Sequence, residues 1–415
     1  MKRGLFFLLI FALILRLYFA FIYPPFPVGA DAQDYDALGW NLAAGNGFVF
    51  EKGKPELARA PGYPFFLAAI YKIFGHSYNH VRAFQVLFSI FTLLLIFLLA
   101  KDNFGEETAF YSLLIASFYP PFLSYNGLLF VEGLFAFFIV LSTYLFLYGI
   151  RKKRRWIYTL LGVVSGYAVL LRVEFILVLL IFLALAVIYS RGDLKKIIYV
   201  ILIVSLVIAP WIIRNYKVSG RFVLVLSQLG STLWVSSYKG EWLVWHNEDP
   251  YYSGLIKGLS EVEKDNLLWK EGIKNIEENP FRYFRVCFKF LWRFWIGGHS
   301  NTFYGLHDSL KNYFLAGSYG KAIIKTFFLI FNTTLIILGG YGMLSAIKKL
   351  RDKKRELSFL ISPIFVIMII HFFLFGVVRY QVPIMPLIII FAAFGLLSLQ
   401  HKKLYDAKNE LGLIK

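Results

Sequence analysis

The chain has 415 residues, of which 58% are hydrophobic and only 17% charged, and its mean hydropathy is +0.63. A soluble globular domain has about a quarter of its residues charged, so this balance excludes an ordinary soluble protein and indicates a membrane protein. The formal net charge of +19 comes from short basic clusters between apolar runs, which is typical of membrane topology and argues against a nucleic-acid-binding face.

Ten apolar runs are predicted to cross the membrane as helices, although a few are short for a crossing of about 20 residues. In chain order they are 5–23, 81–100, 108–119, 128–150, 156–171, 175–189, 197–213, 322–347, 357–378 and 382–399. The first run has no small-residue cleavage site, so we expect a retained helix rather than a signal peptide, with a simple membrane anchor as the alternative. The predicted fold class is therefore all-α, a polytopic membrane protein with about ten transmembrane helices.

The basic clusters predict the orientation. They lie at 2–3, 101, 151–155, 191–196, 348–355 and 402–403, and threading the ten spans places all of them on one side. The positive-inside rule makes that side cytoplasmic, so both termini are expected there. This gives one transmembrane domain, 1–400, with outer loops at about 24–80 and 214–321, and a short cytoplasmic tail, 401–415.

Three further helices are predicted in the outer loops. The stretches 33–44 and 63–74 in the first loop are typical of helices that lie on the bilayer. In the second loop, segment 281–298 places four basic residues on one face and four aromatic or aliphatic residues on the opposite face. We interpret it as an interfacial helix, because counting it as a span would place the cluster 348–355 outside.

Three acidic residues are candidates for chemistry. Asp31 and Asp34 follow the first span, three residues apart, so both carboxylates can share one side of a helix and one could act as a general base. The alternative is structural, with Asp31 as an N-cap and Asp34 in the first turn. Glu132 stands at the outer end of an apolar run, where an ionisable group is costly and indicates function, with a buried structural hydrogen bond as the alternative.

Arginines form the complementary set. Arg59, Arg172, Arg214 and Arg379 all fall at the outer ends of predicted spans, so they could surround one anionic group. Guanidinium groups suit phosphate because they bind two oxygens at once and stay charged. Each taken alone is equally typical of an interface anchor that reaches toward lipid headgroups. No Gly-rich nucleotide-binding motif is present, which favours a lipid-linked phosphate over a nucleotide.

The order of these pieces resembles the GT-C superfamily of polyprenyl-phosphate-dependent glycosyltransferases, in particular the protein mannosyltransferase and aminoarabinose transferase group. The matching segments are GADAQDY, RAPGYPFFLAAIYKIFG, LLFVEGLFAFF, LLRVE, APWIIRNYKVSGRFVLVLSQLGSTLW and RYQVPIMPLIIIFAAFG. Each segment is short, and together they are scattered over most of the chain.

This resemblance implies an inverting transfer in which Asp31 takes a proton from the acceptor while polyprenyl phosphate leaves. Arg59 and Arg379, with Arg172, would stabilise the phosphate, and Glu132 would orient the acceptor or assist Asp31. The predicted site also includes Asp34 among the catalytic acids, and Tyr380 and Arg214 among the phosphate-binding residues.

The resemblance leaves the donor sugar open and the acceptor open among lipid, glycan and protein. It also places the site on the outer face of what we expect to be a prokaryotic plasma membrane. No cofactor is certain, and a divalent cation, Mg²⁺ or Mn²⁺, is compatible with carboxylates near a phosphate. The alternatives are a lipid-phosphate transporter or flippase without transferase activity, and a structural membrane scaffold.

Overall fold

A computed structural model of the chain describes residues 2–23, 29–152, 154–190, 194–238, 250–297, 299 and 306–410. Parts of both predicted outer loops, residues 191–193 of one basic cluster and the last five residues of the predicted tail lie outside this description. The described chain is almost entirely helical, which confirms the predicted all-α class.

The first half of the chain forms ten α-helices, a π-helical turn at Tyr18–Ile22 and one β-hairpin among the described residues. They are α1 (Lys2–Leu17), α2 (Ala30–Ala43), β1 (Val49–Glu51), β2 (Lys54–Pro55), α3 (Gly62–Phe74), α4 (Tyr78–Phe104), α5 (Glu106–Phe118), α6 (Pro120–Ser124), α7 (Val131–Lys152), α8 (Arg155–Leu171), α9 (Phe175–Ser190) and α10 (Leu194–Ser219). The second half, within its described ranges, adds eight more α-helices and two 3₁₀ helices, Arg351–Lys353 and Val378–Ile384. The α-helices are α11 (Leu229–Tyr238), α12 (Pro250–Ile256), α13 (Glu261–Glu278), α14 (Pro280–Trp295), α15 (Leu310–Leu315), α16 (Tyr319–Lys349), α17 (Lys354–Phe373) and α18 (Met385–Glu410).

Seven helical stretches of the described chain are long and apolar enough to cross a membrane. They are Arg3–Ile22, Tyr78–Phe104, Val131–Lys152, Leu194–Ser219, Tyr319–Lys349, Arg351–Phe373 and Val378–Gln400. The three shorter apolar helices are Gly62–Phe74, Arg155–Leu171 and Phe175–Tyr189. All ten predicted runs are mainly helical, although residues 128–130 and 374–377 lie outside helices. Helix α5 has only 13 residues and falls in neither group. The chain is therefore an integral membrane protein, and the count of ten spans is not confirmed.

Helices α16 and α18 pack with their backbones in direct contact. A Cβ atom added to Gly342 would lie 1.8 Å from the carbonyl oxygen of Phe391, so only glycine fits at this position. Small residues at such contacts are typical of membrane helix pairs, whose association depends on close packing. The contact fixes the start of α18 and, directly before it, the short helix Val378–Ile384, which carries Arg379.

The first loop is fastened to the bundle at the end of α8. α2 and α3 occupy the two stretches predicted to be helical, while the hairpin between them was not predicted, because strands of three and two residues leave no periodic pattern. A Cβ atom on Gly62 would lie 2.5 Å from the backbone nitrogen of Leu171, and the hydroxyl of Tyr167 donates to the Gly62 carbonyl at 2.7 Å. The loop that carries Arg59 is thus held against the segment that carries Arg172.

Helix α14 presents three faces rather than the two predicted. One face carries the basic residues. A second face carries exposed aromatic residues, Phe281, Phe284, Phe288 and Trp292, and a third face is buried and carries Tyr283, Cys287, Phe290 and Phe294. The buried face packs against α17 and the 3₁₀ helix before α18, where the Gln381 amide donates to the Phe294 carbonyl at 2.8 Å. As expected, α14 is not among the seven candidate spans; its place at the membrane interface stays a prediction.

Candidate active site

Acidic and arginine side chains from five parts of the chain meet in one cluster. The parts are α2, the loop before α3, the first turn of α7, the link between α8 and α9, and the 3₁₀ helix before α18. The side chains are Asp31, Asp34, Arg59, Glu132, Arg172, Glu174, Arg379 and Tyr380. The structure therefore brings together seven of the eight residues that the sequence singles out, and Arg214 is the exception.

Asp31 lies between two arginines. Its Oδ1 atom is 3.1 Å from Nη1 of Arg59, and its Oδ2 atom is 2.8 Å from Nη2 of Arg379. Asp34, one turn further along α2, pairs with Arg59 through its own Oδ2. Gly29, and not Asp31, is the N-cap of α2, so the structural alternative of an Asp31 cap is wrong.

These contacts set the proton affinity of Asp31. Burial raises the pKa of its carboxyl, but the guanidinium groups of Arg379 and Arg59 outweigh burial and hold the pKa below its ordinary value. The side chain is 17% exposed and so reaches the surface of the cluster. As long as both arginines stay in place, Asp31 is an anion that binds a proton weakly.

Glu132 lies deeper, with a side chain that is 1% exposed. Its Oε1 atom is 3.0 Å from Nε of Arg379 and 3.4 Å from Nη1 of Arg172, while no described residue makes a hydrogen bond to Oε2. Its position in the first turn of α7 is favourable for an anion because the backbone N–H groups of a helix point toward its amino end. Glu132 therefore lies against two of the arginines, and its expected role toward an acceptor stays a prediction.

Arg172 is held by a second acid that the sequence analysis did not single out. Its Nε atom lies 2.8 Å from Oε1 of Glu174, and its guanidinium carbon lies 4.6 Å from the centre of the Tyr380 ring. Burial raises the pKa of Glu174, but Arg172 and His371 outweigh it and lower the pKa to about 2, so this carboxylate is ionised at neutral pH. The signal was present in the sequence, because Glu174 is an acid at the end of an apolar run, as is Glu132.

His371 completes this part of the cluster from α17. Its ring stacks on the Tyr380 ring at a centroid distance of 4.5 Å, and its Nδ1 atom lies 3.0 Å from the Phe375 carbonyl oxygen. Its Nε2 atom lies 3.6 Å from Oε1 of Glu174. His371 is therefore both a packing residue within α17 and a neighbour of Glu174, and no periodicity in its own span could reveal that contact.

A Glu174→Gln variant should lose folding stability. The substitution keeps the size of the side chain but leaves Arg172 with one carboxylate instead of two, and removing one partner of a buried ion pair typically costs about 3 kcal/mol. Thermal unfolding of the purified protein in detergent measures the loss. Glu277→Gln, an exposed position on α13, is the matched control and should leave the unfolding temperature unchanged; equal stability of both variants would contradict the structural role of Glu174.

Arg214 is engaged elsewhere. Its Nη1 atom donates to the Glu56 carbonyl at 2.7 Å and its Nη2 atom to the Phe48 carbonyl at 3.0 Å, and its guanidinium stacks 4.8 Å from the Trp211 ring centre. The Glu56 carboxylate in turn accepts from the backbone N–H of Arg59 at 3.1 Å. Arg214 thus shapes the loop that presents Arg59, and its expected direct place in the phosphate-binding set is not what the structure favours.

The carboxylates fit a metal ion poorly in this arrangement. Within the described ranges, no group of three or more His, Cys, Asp or Glu side chains is arranged to hold one. Arg59 pairs with both Asp31 and Asp34, so a cation shared by these two acids would have to displace its guanidinium.

Part of the cluster lies in a segment that is similar to a known family. Residues 58–213 match the family model described as dolichyl-phosphate-mannose-protein mannosyltransferase, a segment that contains Arg59, Glu132 and Arg172. A curated relative from Aquifex aeolicus (strain VF5), described as an uncharacterized protein, is 34% identical over 119 residues, which are 28% of this chain and 24% of that protein. Both matches cover only part of the chain.

Solved structures extend the likeness to the whole described fold. The archaeal oligosaccharyltransferase AglB from Archaeoglobus fulgidus, in complex with an inhibitory peptide and a dolichol-phosphate, has a TM-score of 0.58 at 15% identity, covering 99% of this chain and 52% of that chain. The match to ArnT from Cupriavidus metallidurans, bound to undecaprenyl phosphate, covers 95% of this chain and 77% of that chain at 12% identity, with a TM-score of 0.45.

The chain spans about half the length of AglB, and at this identity the likeness shows the fold alone. The family model matches the sequence of 58–213, and the likeness to AglB shows a similar fold along the described chain. The resemblance of this membrane protein to the GT-C superfamily of glycosyltransferases is therefore confirmed.

Proposed function

We propose that the chain is an inverting glycosyltransferase that moves a sugar from a polyprenyl-phosphate donor to an acceptor on the non-cytoplasmic face of the membrane. The observation that carries this proposal is Arg379, whose guanidinium contacts both Asp31 and Glu132. Arg379, which is suited to bind the donor phosphate, thus contacts Asp31, which is suited to act as the base. The family match over 58–213 supports the same reaction class.

The proposed reaction is a single displacement. Asp31 takes the proton of the acceptor hydroxyl or amide as the acceptor atom forms a bond to the anomeric carbon. The bond from that carbon to the phosphate oxygen breaks, the oxygen keeps the electron pair, and polyprenyl phosphate leaves. Attack opposite the leaving group inverts the anomeric carbon. Arg379, Arg172 and Arg59 stabilise the negative charge that grows on the phosphate, a task for fixed donors in a site of low dielectric.

Donor binding and base strength are coupled in this proposal. In the structure, Arg379 and Arg59 neutralise Asp31, which makes it a weak base. A guanidinium has five N–H groups that can donate hydrogen bonds. Arg379 or Arg59 can therefore turn some of them toward the phosphate of the sugar donor, which weakens the ion pair with the Asp31 carboxylate while the arginine stays in the site. The pKa of Asp31 then rises toward its ordinary range. The base becomes effective when the donor is in place, which limits unproductive deprotonation without it.

The remaining residues have positioning roles. Glu132 and Glu174 hold Arg172 and Arg379 in the orientation seen in the structure, and the centre of the Tyr380 ring lies 4.6 Å from the guanidinium carbon of Arg172 and 5.4 Å from that of Arg379. Asp34 holds Arg59 in reach of Asp31.

The partners of the reaction follow from its chemistry. The AglB structure contains a dolichol-phosphate and a peptide, which supports a polyprenyl phosphate as the donor carrier and leaves the acceptor open among lipid, glycan and protein. A divalent cation remains part of the proposal only as an auxiliary group. Loss of transfer with EDTA and its recovery with Mg²⁺ or Mn²⁺ would support it.

A reconstituted assay tests the function and separates it from the alternative. The full-length protein in liposomes is given polyprenyl-phosphate sugars that carry labelled mannose, glucose or aminoarabinose, together with membrane extract as the acceptor source. A transferase breaks the bond between sugar and phosphate and releases polyprenyl phosphate. A transporter or flippase moves the intact lipid across the bilayer, and that outcome, with the bond unbroken for every donor, would refute the transferase.

A further inference from the structure

A second charged cavity lies at the other end of the helix bundle. It is about 420 Å³ in volume and is formed where the carboxyl ends of α4, α7 and α9 meet the connection between α16 and α17. Arg151 lines it, 19 positions beyond Glu132 on the same helix, which is about 28 Å at the rise of an α-helix. The cavity is therefore separate from the candidate active site.

Basic side chains dominate the lining. Five line the cavity, Arg151, Arg351, Lys353, Lys354 and Arg355, against three carboxylates, Asp102, Asp352 and Glu356. Two of the carboxylates are already paired, since Asp102 lies 3.1 Å from Arg151 and Glu356 lies 2.5 Å from Arg355.

The other three basic residues of the lining take no part in these two ion pairs. Lys353 donates to the Asn103 carbonyl at 2.7 Å. Arg351 and Lys354 are exposed and have no ion-pair partner within the described ranges, and Asp352 is the one lining carboxylate of those ranges left unpaired. The cavity thus keeps cationic groups available to an anion that enters it.

The surroundings of the cavity are those of a membrane boundary. Three of its four walls are ends of apolar helices, and the neighbouring outer surfaces of α9 and α16 expose large apolar residues, Val187, Ile188, Leu344 and Ile347. Tyr189, an aromatic residue of the kind that favours the level of the headgroups, lines the cavity. A phosphate carried by a lipid can enter from this side while its acyl chains lie along the apolar helix faces.

The chemistry matches a phosphate group. Arg351 offers a planar fork that binds two phosphate oxygens, and Lys354 offers a compact positive charge. Basic pockets between membrane helices are suited to anionic headgroups for these reasons.

We propose that this cavity binds the phosphate of an anionic membrane lipid, with Arg351 and Lys354 as the recognising cations. The site is independent of the proposed sugar transfer, because it lies at the opposite end of α7 and shares no residue with the candidate active site. A bound lipid would hold the protein at one leaflet and stabilise the contact between the ends of α4, α7 and α9 and the connection from α16 to α17.

The test uses the full-length protein in neutral detergent and a double variant, Arg351→Gln with Lys354→Gln. Phosphatidylglycerol is titrated in mixed micelles with phosphatidylcholine, and binding is followed as the rise in unfolding temperature. Each basic residue near an anionic surface contributes a several-fold change in affinity, so the double variant should bind phosphatidylglycerol about thirtyfold more weakly. Phosphatidylcholine alone should give no rise in either protein.

The matched control is Lys348→Gln with Lys349→Gln, which removes the same charge from the same basic segment at two exposed positions that do not line the cavity. It should bind phosphatidylglycerol as the unmodified protein does. Equal weakening in the two double variants would show diffuse attraction and overturn the site. Protection by inorganic phosphate with none from phosphatidylglycerol would overturn the lipid as its source.

Discussion

An Asp31→Asn variant should transfer sugar about 10²- to 10⁴-fold more slowly than the unmodified protein, because general-base catalysis typically contributes that much. Asparagine has nearly the same shape, and its single amide oxygen can still accept a hydrogen bond from one of the two arginines, so we expect the fold and donor binding to be retained. Turnover of a polyprenyl-phosphate sugar by the purified protein in liposomes is the measurement. Glu51→Gln, an exposed carboxylate in the same loop, is the matched control and should keep full activity.

The pH dependence makes this assignment specific. Transfer requires ionised Asp31, so the rate should fall as the pH drops through the pKa of that carboxyl. In the free protein this pKa is below its ordinary value, so kcat/KM should stay high into acid, while kcat, which reports the donor complex, should begin to fall at a higher pH. The variant should lack this acid limb. Undiminished turnover, or an unchanged limb, would exclude Asp31 as the base.

Substitution of Arg379 by alanine should have an effect of similar size for a different reason. Loss of one fixed donor to the leaving group typically costs about 10²- to 10³-fold in kcat. The variant should also bind polyprenyl phosphate more weakly, and its acid limb should move to higher pH, because a guanidinium that lowers the pKa of Asp31 is gone. Single-turnover kinetics and binding of unlabelled polyprenyl phosphate measure these effects.

Two further variants separate charge from geometry at this position. Arg379→Lys keeps the positive charge but cannot contact Asp31 and Glu132 at once through a fork, so it should recover donor binding more than turnover. Arg285→Ala removes an exposed arginine from α14 and should change neither. If Arg379→Ala kept both the affinity for polyprenyl phosphate and the rate, the proposed phosphate site would be wrong.

The sequence was most informative where a charged residue interrupts an apolar run. Burial of such a group is costly, so Glu132, Arg172 and Arg379 stand out without any structure, and the alternation of spans predicts that they share one end of the bundle. Arg59 and Asp31 could be added because they lie in the same predicted loop. The structure joins these residues by ion pairs of 2.8 to 3.4 Å.

What the sequence could not predict was the pairing of individual atoms. Arg214 has the same local context as Arg172, at the end of an apolar helix, and only the path of the first loop gives it two backbone carbonyls as partners. His371 lies inside a span, and its neighbour Glu174 comes from another helix link. Such relations depend on helix rotation and crossing, which hydropathy does not encode.

The contact between Gly62 and Leu171 has a consequence for protein engineering. No side chain fits between Gly62 and the backbone of Leu171, so the first loop and the end of α8 must keep matching shapes. Their packing sets the positions of Arg59 and Arg172 relative to each other. A chimera that exchanges the first loop with that of a relative should therefore take the carboxyl-terminal turn of α8 from the same parent. The second loop is tied in the same way to the segment that carries Arg379, because a Cβ atom on Gly297 would lie 2.7 Å from the Cβ atom of Val378, so its exchange should include the helix Val378–Ile384 from the same parent.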